Sequence, residues 1–265
     1  MKKKSFVSPI VIGLCLLFFY LPIITLMIFS FNGSKSLTTM DGFSLQWYQK
    51  LFADKEMMDA IYNTVIVALI STFVSTIIGT ITAIGLSKCK KILKEVILSI
   101  NNLPILNPEI VTAIGLMLFF TALGVNKGFM TMLLAHIAFC IPYVILSVLP
   151  KLRRLDQNIT EAALDLGATP MQALWKVIVP LIMPGILSGA LIAFTMSFDD
   201  FIISYFVTGN GFKNISIMVY TMSKRINPTI NALSTIMVVV ITLILILVNV
   251  LPVLKNKKKN NMEGM

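Results

Sequence analysis

Six stretches of this chain are each apolar for about twenty residues, and no other feature limits its possible folds as sharply. They run Pro9–Phe31, Asn63–Leu86, Leu103–Leu123, Phe129–Leu149, Gly185–Val207 and Leu233–Leu254. Each residue of a helix adds about 1.5 Å, so about 20 residues cross a hydrocarbon layer of about 30 Å. Lipid supplies no partners for backbone N–H and C=O groups, which makes helices the form such stretches take. The expected fold is all-α: a polytopic membrane protein with about six transmembrane helices over residues 9–254, a short N-terminus (1–8) and a basic tail (255–265). The third run is interrupted at its start by Pro104, Asn107, Pro108 and Glu109.

Composition agrees. The 265 residues are 57% hydrophobic and 13% charged, with a mean hydropathy of +0.88, whereas soluble domains carry roughly 25% charged residues. The opening Met1-Lys2-Lys3-Lys4 could begin a signal peptide. However, the run behind it is long enough to span and no small-residue cleavage site follows, so it counts as the first span. A formal charge of +10 would suggest nucleic acid if it were unlocalised. Under six spans, 15 of the 22 basic residues fall on one side, in the N-terminus, Ser87–Asn102, Pro150–Pro184 and the tail. Topology therefore accounts for the charge. Both termini are expected in the cytoplasm, and no nucleic-acid partner is implied. Cys15, Cys89 and Cys140 lack metal-ligand spacing, and His136 is alone in the fourth run, more in keeping with packing than with metal binding.

Two runs carry small residues every fourth position: Ser71, Ser75, Gly79, Ala83 and Ser87 in the second, and Gly185, Gly189 and Ala193 in the fifth. Such stripes let helices approach closely in lipid, either within the chain or against another subunit. About 35 residues separate the fourth and fifth spans, and they are patterned. Leu155–Leu166 has helical periodicity and is followed by Gly167, suited to a left-handed helix end. Thr169-Pro170-Met171-Gln172 then reads as an N-cap, a first-turn proline and a capping-box glutamine, starting a second helix toward Val179. Pro180 and Pro184 punctuate the approach to the fifth span.

Glu161-Ala162-Ala163-x-x-x-Gly167, with Val177-x-Val179-Pro180 nine residues on, resembles the EAA loop of permease subunits of binding-protein-dependent ABC importers. Val177 and Val179 stand where the family usually has Ile and Leu. Phe43-Ser44-Leu45-Gln46-Trp47-Tyr48-x-x-Leu51-Phe52 and Ala60-x-x-Asn63-Thr64 are similar to the family's external segment, although Trp47 and Tyr48 alone could be interfacial belt residues. The resemblance implies the type I importer permease fold. It also implies ATPase coupling through Glu161, Ala162, Ala163, Gly167 and Pro180, with the helix bearing Glu161 seated in a groove of a cytoplasmic ATPase. No Gly-x-x-x-x-Gly-Lys-Ser/Thr phosphate loop occurs. The chain is therefore expected to be a transport subunit rather than an enzyme, binding no cofactor itself, with ATP used by a partner.

Within the fifth run lies Ser197-Phe198-Asp199-Asp200-Phe201, roughly 21 Å along a helix from Gly185. An intramembrane carboxylate costs about 2.5–3.5 kcal/mol unless hydrated, paired or cation-bound. Asp199 and Asp200 are therefore either substrate-pathway groups for a cation or hydrogen-bonding groups near a helix break, and on a helix only one would face the pathway. Phe198 and Tyr205, with Phe201 and Phe206, could add cation–π contacts or simply pack. Glu109 either pairs with a helix or lines the inner passage, with pairing favoured. Ser197 through Gly209 and Asn227 through Thr235 resemble the spermidine/putrescine permeases of the family. That likeness implies polyamine import by a heterodimer of two permeases with two ATP-binding cassette subunits and an external substrate-binding protein, in a bacterial cell membrane. The alternatives are a family permease for another small ligand, or an ion-coupled secondary cation transporter. An intramembrane hydrolase is disfavoured, because no nucleophile–base motif is present.

Overall fold

In a computed structural model of the chain, the residues described are 7–36, 38–156, 158–209, 211–223, 227–243 and 246. Helices dominate, and the one β pairing among the described residues is an isolated Asn32–Phe43 bridge. The chain forms two compact units, residues 1–58 with 219–265 and residues 59–218.

In the first unit, α1 (Val7–Phe29) leaves its apolar side chains bare, with Phe18 and Phe19 among the most exposed. Beyond it the chain is organised around one buried amide. The Asn32 side chain donates to the carbonyls of Ser36 (2.9 Å) and Thr39 (2.8 Å) and accepts from the amides of Asp41 (2.7 Å) and Ser34 (3.3 Å). Helix α2 (Gln46–Ala53) buries Trp47, whose indole N–H donates to the Asn32 carbonyl at 2.7 Å while Lys50 Nζ sits 4.4 Å above its ring. Trp47 is thus an internal anchor and not a belt residue. The sixth apolar run is helical from Thr229 to Leu243. Apart from Ile246, its remainder and the basic tail lie outside the described residues.

The second unit is built on α3 (Lys55–Lys88), α4 (Lys91–Leu106), α5 (Glu109–Ala122), α6 (Phe129–Arg153), α7 (Asn158–Asp165), α8 (Pro170–Asp199), α9 (Ile202–Val207) and α10 (Ile215–Ser223), with the ends of α3 and α10 crossing its boundary. Among the described residues, four helices are long and apolar enough to span, five if α4 and α5 count as one broken span.

The structure departs from the sequence expectation at three places. The third run is not one helix, because α4 and α5 meet at 105° across Asn107-Pro108. Proline lacks an N–H and disfavours helical geometry in the residue before it, and Asn107 is accordingly extended (ψ 147°). The fifth run is not one helix either, since α8 stops at Asp199 and α9 begins at Ile202. Conversely, Pro180 and Pro184 do not interrupt α8. The helix absorbs Pro180's missing donor in a π turn over Leu174–Ile178, where the Val179 N–H reaches the Leu174 carbonyl, a device helices use to accommodate such defects.

The small-residue stripes serve packing inside this unit. A Cβ on Gly79 would lie 2.7 Å from Val144 Cβ, and one on Gly189 would lie 3.1 Å from Val144 Cα. Val144 of α6 is therefore held between α3 and α8. A Cβ on Gly185 would meet the Ser147 carbonyl at 3.1 Å. Around this contact Ala83, Ala135, Cys140, Val148, Ile182 and Ala193 form the buried apolar core.

Candidate functional site

The break between α8 and α9 is what its residues dictate. Asp200 is extended (ψ 126°) and turns its carboxylate onto the first turn of α9. Oδ1 accepts from the Ile203 amide (3.2 Å), and Oδ2 accepts from the Ser204 amide (2.7 Å) and hydroxyl (2.6 Å). These donors would otherwise have no partner, as at any helix start. Asn214 donates to the Asp200 carbonyl (3.0 Å) and to Ser204 Oγ (2.9 Å), fixing the returning chain against the break. Thr64 Oγ1 of α3 accepts from the Ile215 amide at 2.8 Å, and Thr131 of α6 donates to the Val207 carbonyl at 2.8 Å.

His136, fully buried on α6, stands at the centre. Its Nε2 is 3.3 Å from Asp200 Oδ2 and 3.0 Å from Ser204 Oγ. Nδ1 is 2.7 Å from Ser197 Oγ, which is 2.9 Å from Ser71 Oγ of α3. The ring also packs edge-on against Phe139 with centroids 5.2 Å apart. The histidine expected to be a packing residue is thus the hub of a polar network. Buried polar groups in an apolar environment are costly unless satisfied in this way.

Beside this network a cleft of about 160 Å³ opens, lined by Pro104, Ile105, Asn107, Glu109, Thr112, Phe139, Tyr143, Met196 and Ile203. Both helix breaks border it. Glu109, expected to pair with a helix, opens α5 at the first break; its carboxyl lies beside that of Asp200 and within electrostatic reach of Asp199. The two adjacent aspartates are differently placed, Asp200 only 4% exposed and internally bonded, Asp199 exposed at the end of α8. Phe198 stacks on Phe194 (5.6 Å), and Tyr205, 47% exposed, packs against Phe201 and Phe206. Neither lines the cleft. Discontinuous helices bordering a hollow that holds a few polar groups are a common way for membrane proteins to expose backbone and charge at depth.

The second site residues form a hairpin. Helix α7 ends on Gly167 (φ +84°), where Gly167 N–H donates to Leu164 O (2.9 Å) and Ala168 N–H to Ala163 O (3.1 Å). This is the paired closure of a left-handed helix end. Thr169 and Gln172 then cap α8 reciprocally, the Thr169 amide donating to Gln172 Oε1 (3.0 Å) and the Gln172 amide to Thr169 Oγ1 (3.3 Å). Glu161 and Ala162 are exposed and Ala163 is half-buried, while Leu164, Leu166 (89% exposed), Met171 and Trp175 leave apolar surface bare. Pro180 is exposed just above the π turn.

Sequence reasoning placed the hairpin and both aspartates but missed the weight of Glu109 and His136. A signal was present: Ser197, Ser204 and Asn214 crowd the break, and polar residues within spans usually bond one another.

Similarity to known proteins bears on the same features. Residues 75–255 match the family model described as the binding-protein-dependent transport system inner membrane component. The chain is 35% identical over 240 residues to the spermidine/putrescine transport system permease protein PotC of Haemophilus influenzae, covering 90% of this chain and 93% of the relative. It is 38% identical over 226 residues to the putrescine transport system permease protein PotI of Escherichia coli strain K12, covering 82% and 80%. A crystal structure of a bacterial ABC transporter involved in the import of the acidic polysaccharide alginate shares the fold, with a TM-score of 0.72 over 94% of both chains at 18% identity. The matching model, these relatives and the shared helical architecture lead to one conclusion: the chain belongs to the family of inner membrane components of binding-protein-dependent transport systems.

Proposed function

We propose that this chain is the membrane-spanning permease subunit of an ATP-driven importer that moves polyamines of the spermidine/putrescine class into the cell. The observation that carries the substrate class is the convergence of Glu109, Asp199 and Asp200 at two helix breaks beside one cleft. With Asp200 engaged internally, Asp199 and Glu109 are the carboxylates that meet an ammonium group in passage, and Tyr143 on the cleft wall supplies a ring face and a hydroxyl. The names of PotC and PotI support the same class.

The chain works with a second permease, two ATP-hydrolysing subunits and an external binding protein, and hydrolyses no ATP itself. Its EAA hairpin supports this reading. The bare apolar surface of Leu164, Leu166, Met171 and Trp175, beside exposed Glu161, has the chemistry of a docking element. Both termini and this hairpin face the cytoplasm, where basic residues concentrate. ATP-driven closure of the motor displaces α7, and α8, continuous from the hairpin at Pro170 to Asp199, carries the displacement to the second break.

The test is uptake of radiolabelled spermidine by proteoliposomes holding the complete complex and loaded binding protein. Uptake requires ATP, and Asp199→Asn and Glu109→Gln each lower it about tenfold or more, the scale of one lost charge-assisted contact. Uptake that proceeds on an ion gradient without ATP refutes the motor coupling. Full uptake by both variants refutes the carboxylate pathway.

A further inference from the structure

The chain's buried histidine contacts neither the cleft nor the coupling hairpin, yet its bonds bridge the interruption on which the cleft depends. Of the two residues joining α8 to α9, Asp200 is extended and Phe201 lies outside either helix. On one side of the gap Ser197 bonds His136 Nδ1 at 2.7 Å; on the other Asp200 and Ser204 lie 3.3 and 3.0 Å from Nε2. From α6 a single imidazole thus holds the end of one helix and the start of the next.

The ring's two nitrogens are matched to the donors and acceptors around them. The Ser204 hydroxyl has one proton, given to Asp200 Oδ2 at 2.6 Å, and its oxygen receives Asn214 Nδ2–H at 2.9 Å. His136 Nε2 therefore faces acceptors, a carboxylate and a hydroxyl oxygen, and must carry hydrogen. In the neutral ring Nδ1 is then bare and accepts from the Ser197 hydroxyl, whose oxygen in turn accepts from Ser71. The chain Ser71 to Ser197 to His136 to Asp200 then runs from donor to acceptor throughout, with the Ser71 hydroxyl also 3.2 Å from the Ala68 carbonyl. A side chain without an acceptor and a donor about 2 Å apart leaves an unpaired polar atom at one end.

The cleft wall is made from both sides of the gap: Met196 before it, Ile203 after it, and Phe139, one helical turn from His136 and in edge contact with its ring. Asp199 is the last residue of α8, and Glu109 rests beside Asp200. We infer that His136 is a positioning residue for transport: it clamps the broken helix so that Met196 and Ile203 form one wall, the Glu109 carboxyl keeps its place in the cleft lining and Asp199 stays at the break beside it. The inference rests on the cleft being the substrate pathway, but the clamp itself can be measured separately.

The test uses the complete complex in lipid nanodiscs, comparing His136→Leu, His136→Gln and Ser197→Ala by amide hydrogen exchange and by ATP-driven spermidine uptake. In His136→Leu, exchange over residues 200–207 speeds up about tenfold or more and uptake falls by a similar factor, as expected for lost bonds to a charged group. His136→Gln keeps an amide oxygen and N–H near the required spacing and recovers both readouts to within about threefold. Ser197→Ala gives a smaller acceleration in the same segment and remains informative if His136→Leu does not assemble. The proposal is overturned if exchange over this segment is unchanged in both His136→Leu and Ser197→Ala, if His136→Gln is as defective as His136→Leu, or if protection is lost equally over α3, α6 and α8. Local loss of protection together with full uptake by Asp199→Asn and Glu109→Gln upholds the clamp and removes the cleft's assigned role instead.

Discussion

Asp199 and Asp200 are neighbours of identical chemistry, and the structure predicts that their removal does opposite things. Asp200→Ala takes away the acceptors of the Ile203 amide (3.2 Å), the Ser204 amide (2.7 Å) and the Ser204 hydroxyl (2.6 Å), and the His136 contact at 3.3 Å. Ile203 and Ser204 are at most 2% exposed, so water does not replace the lost partner. Each buried donor left unpaired costs about 1–3 kcal/mol, and the loss is larger where the acceptor was charged. Because these contributions overlap, the expected loss is about 3–5 kcal/mol, equivalent to about 10 °C in apparent melting temperature for a chain of this size. Asp200→Asn retains one acceptor oxygen and should lose only about 1–2 kcal/mol. Asp199→Ala removes an exposed carboxylate and should shift the melting temperature by no more than about 2 °C, while lowering spermidine uptake about tenfold or more. The assay is thermal unfolding of the purified complex at a single scan rate, since membrane complexes unfold irreversibly, paired with vesicle uptake. An Asp200→Ala complex that melts with the wild type, or an Asp199→Ala complex that melts as low as the expected Asp200→Ala, would refute the division of labour.

Other consequences follow from packing and turn geometry. Gly79→Leu drives side-chain atoms into Val144, 2.7 Å from where the first carbon must sit; overpacking of this kind costs about 1–3 kcal/mol or more, read as a lower melting temperature and reduced yield of assembled complex. Gly167→Val places a β-branched residue at φ +84°, at a local cost of about 1–2 kcal/mol. It should leave ATP hydrolysis by the motor measurable while lowering the uptake per ATP hydrolysed, and unchanged coupling would count against the hairpin as transmitter. Trp47→Phe loses the 2.7 Å bond to the Asn32 carbonyl and should raise hydrogen exchange in residues 32–43 while the EAA hairpin stays as protected as before.

Much of the protein is readable from local pattern. Apolar runs of spanning length determine an all-helical membrane fold by themselves, because lipid leaves the backbone no other way to satisfy its hydrogen bonds. The α7–α8 turn is likewise local: Gly167, Ala168, Thr169 and Gln172 make their closing bonds with residues three to five positions away, which spacing alone can reveal. Pro108 announces an interruption, though not that α4 and α5 turn through 105° there. Pro180 shows the reverse, a helix breaker absorbed by a π turn because the rest of α8 is packed on α6.

What only the tertiary structure decided is direction. Sequence placed two carboxylates in one span, but which is buried depends on where α8 stops, and that depends on bonds from His136 and Asn214, 64 residues before and 14 residues after Asp200 in the chain. The small-residue stripes fit an inner or an outer contact equally well until Val144 is seen between Gly79 and Gly189. Glu109 looked like a pairing group until the bend brought it beside the second break. Periodicity records which face of a helix is apolar, whereas a site built across helix breaks depends on contacts between residues far apart in the chain, and no short-range pattern encodes those.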